Sequence, residues 1–341
     1  MKIVFLTYLF LIILSTLYIK KNNFLPSNYG LIHQNKVNCS VPLAGGIFLF
    51  FPFIFVSSLF DISLVIALSG LFFLGLFSDL NILSSAKKRF LIQLLIISFY
   101  TIFVELEVFP TRISVIDDLF YETHISYFFT IFCLMILING SNFIDGLNGL
   151  LLGYCCLIFL TIFKLNLVEF IFPDYQIFIY LMLVIIFLII LNFFNKIFLG
   201  DSGAYMLSFF TGLMLIKIYN QNYEYITPYF IILLLWYPCL ENLFSILRKV
   251  YLNTNPLLPD SFHLHHFLYL GIKKKFVNKK LYANNLASII ILLFNSLIFW
   301  ISFHNINNTS YQIKLLGFCV IIYLFSYIFL KKFINHQKSL P

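Results

Sequence analysis

The chain has 341 residues, of which 61% are hydrophobic and 11% charged, with a formal net charge of +8. Soluble domains carry about 45–50% apolar and about 25% charged residues, so a water-soluble enzyme or binding module is excluded and lipid is the solvent that suits this composition. No stretch is polar enough to form a separate soluble domain, and residues 1–341 read as a single membrane-embedded unit.

A helix needs about 20 mostly apolar residues to cross the hydrocarbon core. Eleven segments meet or approach this in chain order: 3–19, 45–60, 62–78, 90–106, 126–140, 149–165, 176–194, 203–219, 227–245, 284–303 and 313–330. The expected fold is therefore all-α and polytopic, with about ten or eleven spans. The first run has one leading lysine and no small-residue cleavage site, which reads as a retained span rather than a cleaved signal peptide. Segments 45–60 and 62–78 form a tight pair turned at Asp61. Cys133, Cys155, Cys156, Cys239 and Cys319 sit in apolar runs and Cys39 in a loop. None has a CxxC or Cys/His metal spacing, so they read as apolar filler.

Eleven spans put the termini on opposite sides. With the N-terminus outside, all of the 22 Lys and Arg residues except Lys2, Arg112, Lys164, Lys217 and Lys314 fall on inner segments. That is the positive-inside bias, and it places the C-terminus in the cytoplasm. Most acids lie toward the outer side. Asp79, Asp145, Asp201, Asp260 and Glu241 remain inside, and aspartates on four different basic loops point to one shared site.

Residues 75–93 hold Asp79 at the end of the third span, followed by Lys87, Lys88 and Arg89. Helix-end charge and membrane anchoring explain this loop alone as well as chemistry does. In residues 139–150, Asn139, Asn142, Asp145 and Asn148 recur every three positions, loosely on one helical face. A glycine-rich turn accounts for one or two of them. Four are better explained by a cavity or its cytoplasmic mouth.

Residues 198–206 contain Asp201 and Ser202, placed to cap a helix starting near Gly203. The same geometry would aim Asp201 at a metal and leave backbone N–H groups for a phosphate. Residues 259–271 bring together His263, His265 and His266. Zinc needs three or four converging ligands, and adjacent His265 and His266 point apart, so donation to phosphate oxygens fits a basic loop better. Carboxylates and carboxamides for a hard cation, clustered bases and glycine turns together suit phosphoryl transfer between a soluble diphosphate and a lipid phosphate.

These loops resemble the polyprenyl-phosphate N-acetylhexosamine-1-phosphate transferases. The resemblance runs through Pro42-Leu43-Ala44-Gly45-Gly46, GLFSDL, NFIDGLNGL, FLGDSG, Pro238 with Glu241, and HLHH, in that order. It implies transfer of a HexNAc 1-phosphate from a UDP-sugar to polyprenyl (undecaprenyl) phosphate with release of UMP. HLHH after PD resembles the branch using UDP-GlcNAc or related donors, which starts O-antigen and other surface polysaccharides at the bacterial inner membrane. The phospho-MurNAc-pentapeptide branch of peptidoglycan synthesis ranks second, and a lipid-linked sugar transporter or an inactive relative is the reading from another class.

By that resemblance Asn142 and Asp201 bind Mg²⁺, with Mn²⁺ an allowed substitute. Asp79, Lys87 and Arg89 lie near the lipid phosphate. Asn139, Asp145 and Asn148 shape the donor pocket, and His263, His265 and His266 meet the donor diphosphate. The expected partners are the UDP-HexNAc donor, the polyprenyl phosphate acceptor and the bilayer, with a homodimer allowed and no nucleic acid. The chain departs from the family at Ser78, Asn148 and Glu241, where Asp is usual, and at Ser261, where Arg is common. A lipid phosphate with its second pKa near about 6 is mostly dianionic at neutral pH, so direct displacement assisted by Asp79 does not require the second carboxylate that Ser78 replaces.

Overall fold

Each of the eleven apolar segments is a helix in the computed structural model, which describes residues 2–22, 24–25, 41–59, 61–108, 110–122, 125–170, 172, 174–256, 258, 260–275 and 279–336. Lys36, Cys39, Pro259 and Lys338 of the sequence motifs and counts lie outside these residues. In chain order the helices are α1 (Lys2–Lys21), α2 (Gly45–Ser57), α3 (Ile62–Asp79), α4 (Ala86–Phe103), α5 (Ser114–Glu122), α6 (Ile125–Ile144), α7 (Leu150–Lys164), α8 (Tyr175–Phe193), α9 (Gly200–Gln221), α10 (Pro228–Tyr251), α11 (Leu264–Lys275), α12 (Lys280–Phe303) and α13 (Thr309–His336). Among the described residues, eight helices are long and apolar enough to cross a membrane. Helices α2 and α7 are shorter, with 13 and 15 residues, and α4 opens on Lys87, Lys88 and Arg89. The protein is an all-α polytopic membrane protein.

Helix α9 is the axis of the bundle. It is buried over nearly its whole length and packs against α2, α3 and α6. Without a hydrophobic force between helices in lipid, close approach of small residues supplies the packing. A Cβ at Gly75 of α3 would lie 2.3 Å from Ser202 Cα, and one at Gly203 would lie 2.9 Å from Gly46 Cα. These contacts seat the first turn of α9 between α2 and α3. The peripheral helices face the other way: α1 exposes Ile3, Leu6, Phe10 and Leu17, and α13 exposes Ile321, Phe325 and Phe329, as lipid contact requires.

The acids assigned to the outer side include helix caps. Asp61 accepts from Ser63 N at the start of α3, within the expected tight pair, and Asp174 accepts from Gln176 N at the start of α8. Arg112 donates to the carbonyls of Tyr223 and Ile226 and to Asn307, tying three loops on the face opposite the motif loops. That role explains a base among the exceptions to the inner bias.

Two helices were not expected. Helix α5 carries Asp117 and Asp118 and leaves Val115 and Leu119 exposed. Helix α11 occupies part of what read as the longest inner loop. Its Phe267 packs on Tyr327 of α13, and both are buried.

Candidate active site

The first turn of α9 has no side-chain cap of its own: its N-cap residue is Leu199. The sequence placed Asp201 and Ser202 as candidate caps for a helix beginning near Gly203. The helix instead begins at Gly200, and Asp79 reaches across from the last residue of α3 to cap it. Asp79 Oδ1 accepts from Asp201 N at 2.8 Å, and Oδ2 accepts from Ser202 N at 3.1 Å and Ser202 Oγ at 2.8 Å. A carboxylate at a helix N-terminus satisfies otherwise unpaired donors and meets the positive end of the helix dipole. Gly200 makes this possible. Its φ is +79°, and a Cβ there would sit 2.6 Å from Asp79 Oδ2.

With Asp79 engaged, Asp201 is turned toward three donors. Ser78 Oγ donates to Asp201 Oδ2 at 2.6 Å, Arg89 Nη1 at 2.8 Å and Tyr205 OH at 3.2 Å. Arg89 also donates to Ser78 Oγ. Ser78 thus bridges the guanidinium and the carboxylate at the position where the family resemblance expected a second aspartate. Arg89 and Asp201 are each about a quarter exposed, so the pair faces an opening rather than the core.

That opening is a cavity of about 290 Å³, bordered by Ser78, Asp79, Arg89, Asn142, Asp145, Asn148 and Asp201. Asn142 belongs to the last turn of α6, and residues 145–149 are the turn that follows it. The turn is pinned from behind by carboxamides. Asn148 N donates to Asn284 Oδ1 at 2.8 Å, Asn148 Nδ2 to Asn195 Oδ1 at 2.7 Å and to Asn285 Oδ1 at 3.2 Å, and Gly149 N donates to Asn192 Oδ1. These partners explain why asparagine serves at position 148: its amide donates to two oxygens, which a carboxylate cannot do.

Asp145 carries the sharpest electrostatic signature. Burial, and then the neighbouring charges of Asp201 and Asp79, push its carboxyl well above the ordinary aspartate value. A carboxyl raised in the fold contributes most stability when protonated, and that contribution is lost as pH rises from the unfolded value toward the folded one. At pH 7, without divalent cations, Asp145→Asn should therefore raise the melting temperature by about 2–4 °C, the shift expected from about 1 kcal/mol. Thermal unfolding of the detergent-purified protein checks this. A lower melting temperature would show that Asp145 is stabilised by its surroundings instead.

The three histidines do not border the cavity. They are 4%, 0% and 6% exposed in chain order and gather around Glu241, itself 1% exposed. His263 Nδ1 lies 3.0 Å from Glu241 Oε2, and His265 Nδ1 lies 3.5 Å from Oε1. Leu264 N, at the start of α11, donates to Oε1 at 3.1 Å. Asp260 pairs with Arg248 at 2.7 Å. Burial pushes its carboxyl up, and the surrounding His263, Arg248 and Lys249 outweigh this and hold it below the usual range.

Of the eleven residues singled out from sequence, the structure brings Asp79, Arg89, Asn142, Asp145, Asn148 and Asp201 to one cavity. Lys87 is exposed outside it. Asn139 turns back to Gln93 Oε1 and Met135 O. The three-residue spacing therefore does not bring all four polar residues to the cavity: Asn139, inside α6, faces α4 instead. Sequence reasoning missed Tyr205, four residues after Asp201, where helical spacing brings it onto the same face. It also missed Asn192, Asn195, Asn284 and Asn285, whose signal was carboxamides at the ends of apolar spans. Among the described residues, no three His, Cys, Asp or Glu side chains converge closely enough to enclose a metal by themselves.

Residues 62–219 match the family model described as Glycosyl transferase family 4, a stretch from the start of α3 nearly to the end of α9 that contains all six cavity residues. The chain is similar to the undecaprenyl-phosphate alpha-N-acetylglucosaminyl 1-phosphate transferase of Thermotoga maritima, 27% identical over 235 residues that span 67% of each chain. It is 28% identical over 183 residues to the Escherichia coli protein of the same name, covering 49% of this chain and 47% of that one. It is also 28% identical over 152 residues to the decaprenyl-phosphate N-acetylglucosaminephosphotransferase of Mycolicibacterium smegmatis, covering 39% of this chain and 37% of that one. The aligned stretch is thus about half the length of the Escherichia coli relative. The resemblance drawn from the loop motifs holds: the matched family model covers the stretch that carries the cavity, and the similar proteins are named as polyprenyl-phosphate N-acetylglucosamine-1-phosphate transferases.

Proposed function

We propose that the protein transfers a HexNAc 1-phosphate, GlcNAc 1-phosphate or a close relative, from a UDP-sugar to polyprenyl phosphate, releasing UMP and starting a cell-surface polysaccharide. The observation that carries this reading is the cavity in which Asp79, Arg89, Asn142, Asp145 and Asp201 meet, although they come from three separate stretches of chain. The names of the relatives agree with a polyprenyl phosphate acceptor and a nucleotide-sugar donor.

The donor set fits Mg²⁺. This cation binds protein through one or two oxygen ligands and completes its shell with phosphate oxygens and water, so a cavity without a three-residue cluster suits it. Asp201 and Asn142 would hold it, and bound there it supplies neutralisation of the donor's diphosphate charge. Asp79, Asp145 and Asp201 bring three carboxylates to the cavity against the guanidinium of Arg89. The protein's own residues do the rest. Asp79 fixes the first turn of α9 and thereby Asp201. Arg89 presents a guanidinium at the cavity edge, where a phosphate can share it with Asp201. The acceptor's dianionic phosphate attacks the β-phosphorus of the donor, and the bond from that phosphorus to the UMP oxygen breaks. Chelation with EDTA should abolish transfer, and added Mg²⁺ or Mn²⁺ should restore it. Full activity in EDTA would remove the metal from this reading.

The charge bias of the loops supports a cytoplasmic site, at the inner membrane of a bacterial cell. In a background freed of the six native cysteines, Lys274→Cys should react with an impermeant maleimide only after permeabilisation. Asn308→Cys should react in intact cells. The reverse pattern would separate the cavity from cytoplasmic UDP-sugars.

A further inference from the structure

Helix α10 carries an ionisable residue, Glu241, one turn beyond Pro238 and buried in the bundle. Glu241 is 1% exposed, yet its two oxygens receive His263 Nδ1, Leu264 N and Tyr237 OH, with His265 Nδ1 at 3.5 Å. An ionisable side chain persists in such a place only when its partners compensate the lost hydration, and all of the partners here except Tyr237 come from the 263–265 segment at the start of α11. His265 and His266 in turn lie against the turn after α6. A Cβ at Gly146 would sit 3.0 Å from His265 Nε2 and 3.1 Å from His266 Cε1. The ring of Phe143, in the last turn of α6, lies 4.9 Å from that of His263. A continuous row of contacts therefore runs from α10 through the histidines to the turn that presents Asp145 to the cavity.

We infer that Glu241 is a positioning residue for the nucleotide-sugar donor: it clamps His263 and His265 against the back of the 145–149 turn and so sets where Asp145 and Asn148 stand in the cavity. The carboxamides of Asn192 and Asn284 hold the far end of the turn, and the histidine cluster holds the near end, at Phe143 and Gly146. Glu241 never reaches the cavity, and its effect passes through the histidines. The donor half of this inference rests on the function proposed above, whereas the mechanical half does not.

Glu241→Gln keeps the size of the side chain and removes the charge that binds two imidazoles and a helix-start amide. Gly146→Ala presses on the same contact from the opposite side, and Glu241→Asp retains the charge one methylene shorter. Glu241→Gln and Gly146→Ala should each raise amide hydrogen exchange in peptides covering 262–268 and 143–147, while peptides from α9 keep their protection. Both should raise the KM for UDP-GlcNAc about tenfold or more, the scale on which small misplacements of positioning groups act, and leave the KM for polyprenyl phosphate unchanged. Glu241→Asp should recover most of the loss, and the double variant should cost less than the two single changes together, because both act on one contact.

A merely structural glutamate would lower the folded fraction and affect both substrates alike. The inference is overturned if Glu241→Gln loosens 262–268 but leaves 143–147 protected. It is equally overturned if both regions loosen and the KM for UDP-GlcNAc in an active enzyme stays the same. Should the unmodified protein release no nucleotide from UDP-GlcNAc, the proposed function fails, and the exchange data alone still decide whether Glu241 holds the turn.

Discussion

Asp201→Asn should lower turnover by about two to three orders of magnitude, the cost of removing one preorganised electrostatic group from a transition-state site, with the fold intact. Asp201 is part of the first turn of α9, but its side chain packs nothing. It receives Ser78, Arg89 and Tyr205 and faces the cavity. An asparagine keeps the shape and one accepting oxygen, so the helix start, which Asp79 caps, remains. What is lost is the charge that a cation and Arg89 would both use. Activity measured on detergent-purified protein, with circular dichroism to establish folding, checks this. Undiminished turnover in folded Asp201→Asn protein would remove the residue from the site.

Asp79→Ala should abolish measurable activity, and for a different reason. Its carboxylate accepts two backbone N–H groups and a hydroxyl at the start of the helix on which the bundle is built. Loss of a helix cap costs about 0.5–2 kcal/mol, and each buried polar group left unpaired costs about 1–3 kcal/mol. Asp79→Ala therefore disturbs Asp201 and the seat of α9 together, and reduced thermal stability should accompany lost turnover. Ser78→Ala is the contrasting change. It removes one hydrogen bond to Asp201 and one from Arg89 while the Arg89–Asp201 pair remains at 2.8 Å, so activity should fall by about tenfold, in line with a net worth of about 0.5–1.5 kcal/mol per hydrogen bond. Ser78→Asp should change activity modestly. If Ser78→Ala proved as damaging as Asp79→Ala, the cap would not be what distinguishes the two neighbours, and Ser78 would have to act directly in the chemistry.

The spans were legible because lipid imposes a simple constraint, a run of apolar residues of fixed length. Even so, helix ends were misplaced wherever a motif was read as loop. Asn142 sits inside α6 and Asp201 inside α9 because polar residues facing a cavity need not interrupt a helix. Helix α11 was hidden because its sequence mixes two histidines and three lysines with its apolar residues. Its apolar side becomes recognisable only when α13 lies beside it. The six cavity residues were legible as a group, since polar side chains at the inner ends of lipid-spanning helices need a shared destination. Their individual roles were not. That Asp79 caps a helix 122 residues away, or that the histidines gather on Glu241 behind the cavity wall, depends on contacts across the bundle that no local pattern encodes.

The identity of the released nucleotide tests the central claim most directly. Purified protein, polyprenyl phosphate, Mg²⁺ and UDP-GlcNAc labelled in the β-phosphate should yield UMP, with the label passing into the lipid fraction in equal amount. Release of UDP with the label left in water would mean transfer of the sugar without its phosphate. Absence of either nucleotide with every UDP-HexNAc supplied would mean that the cavity built around Asp201 does not catalyse phosphosugar transfer.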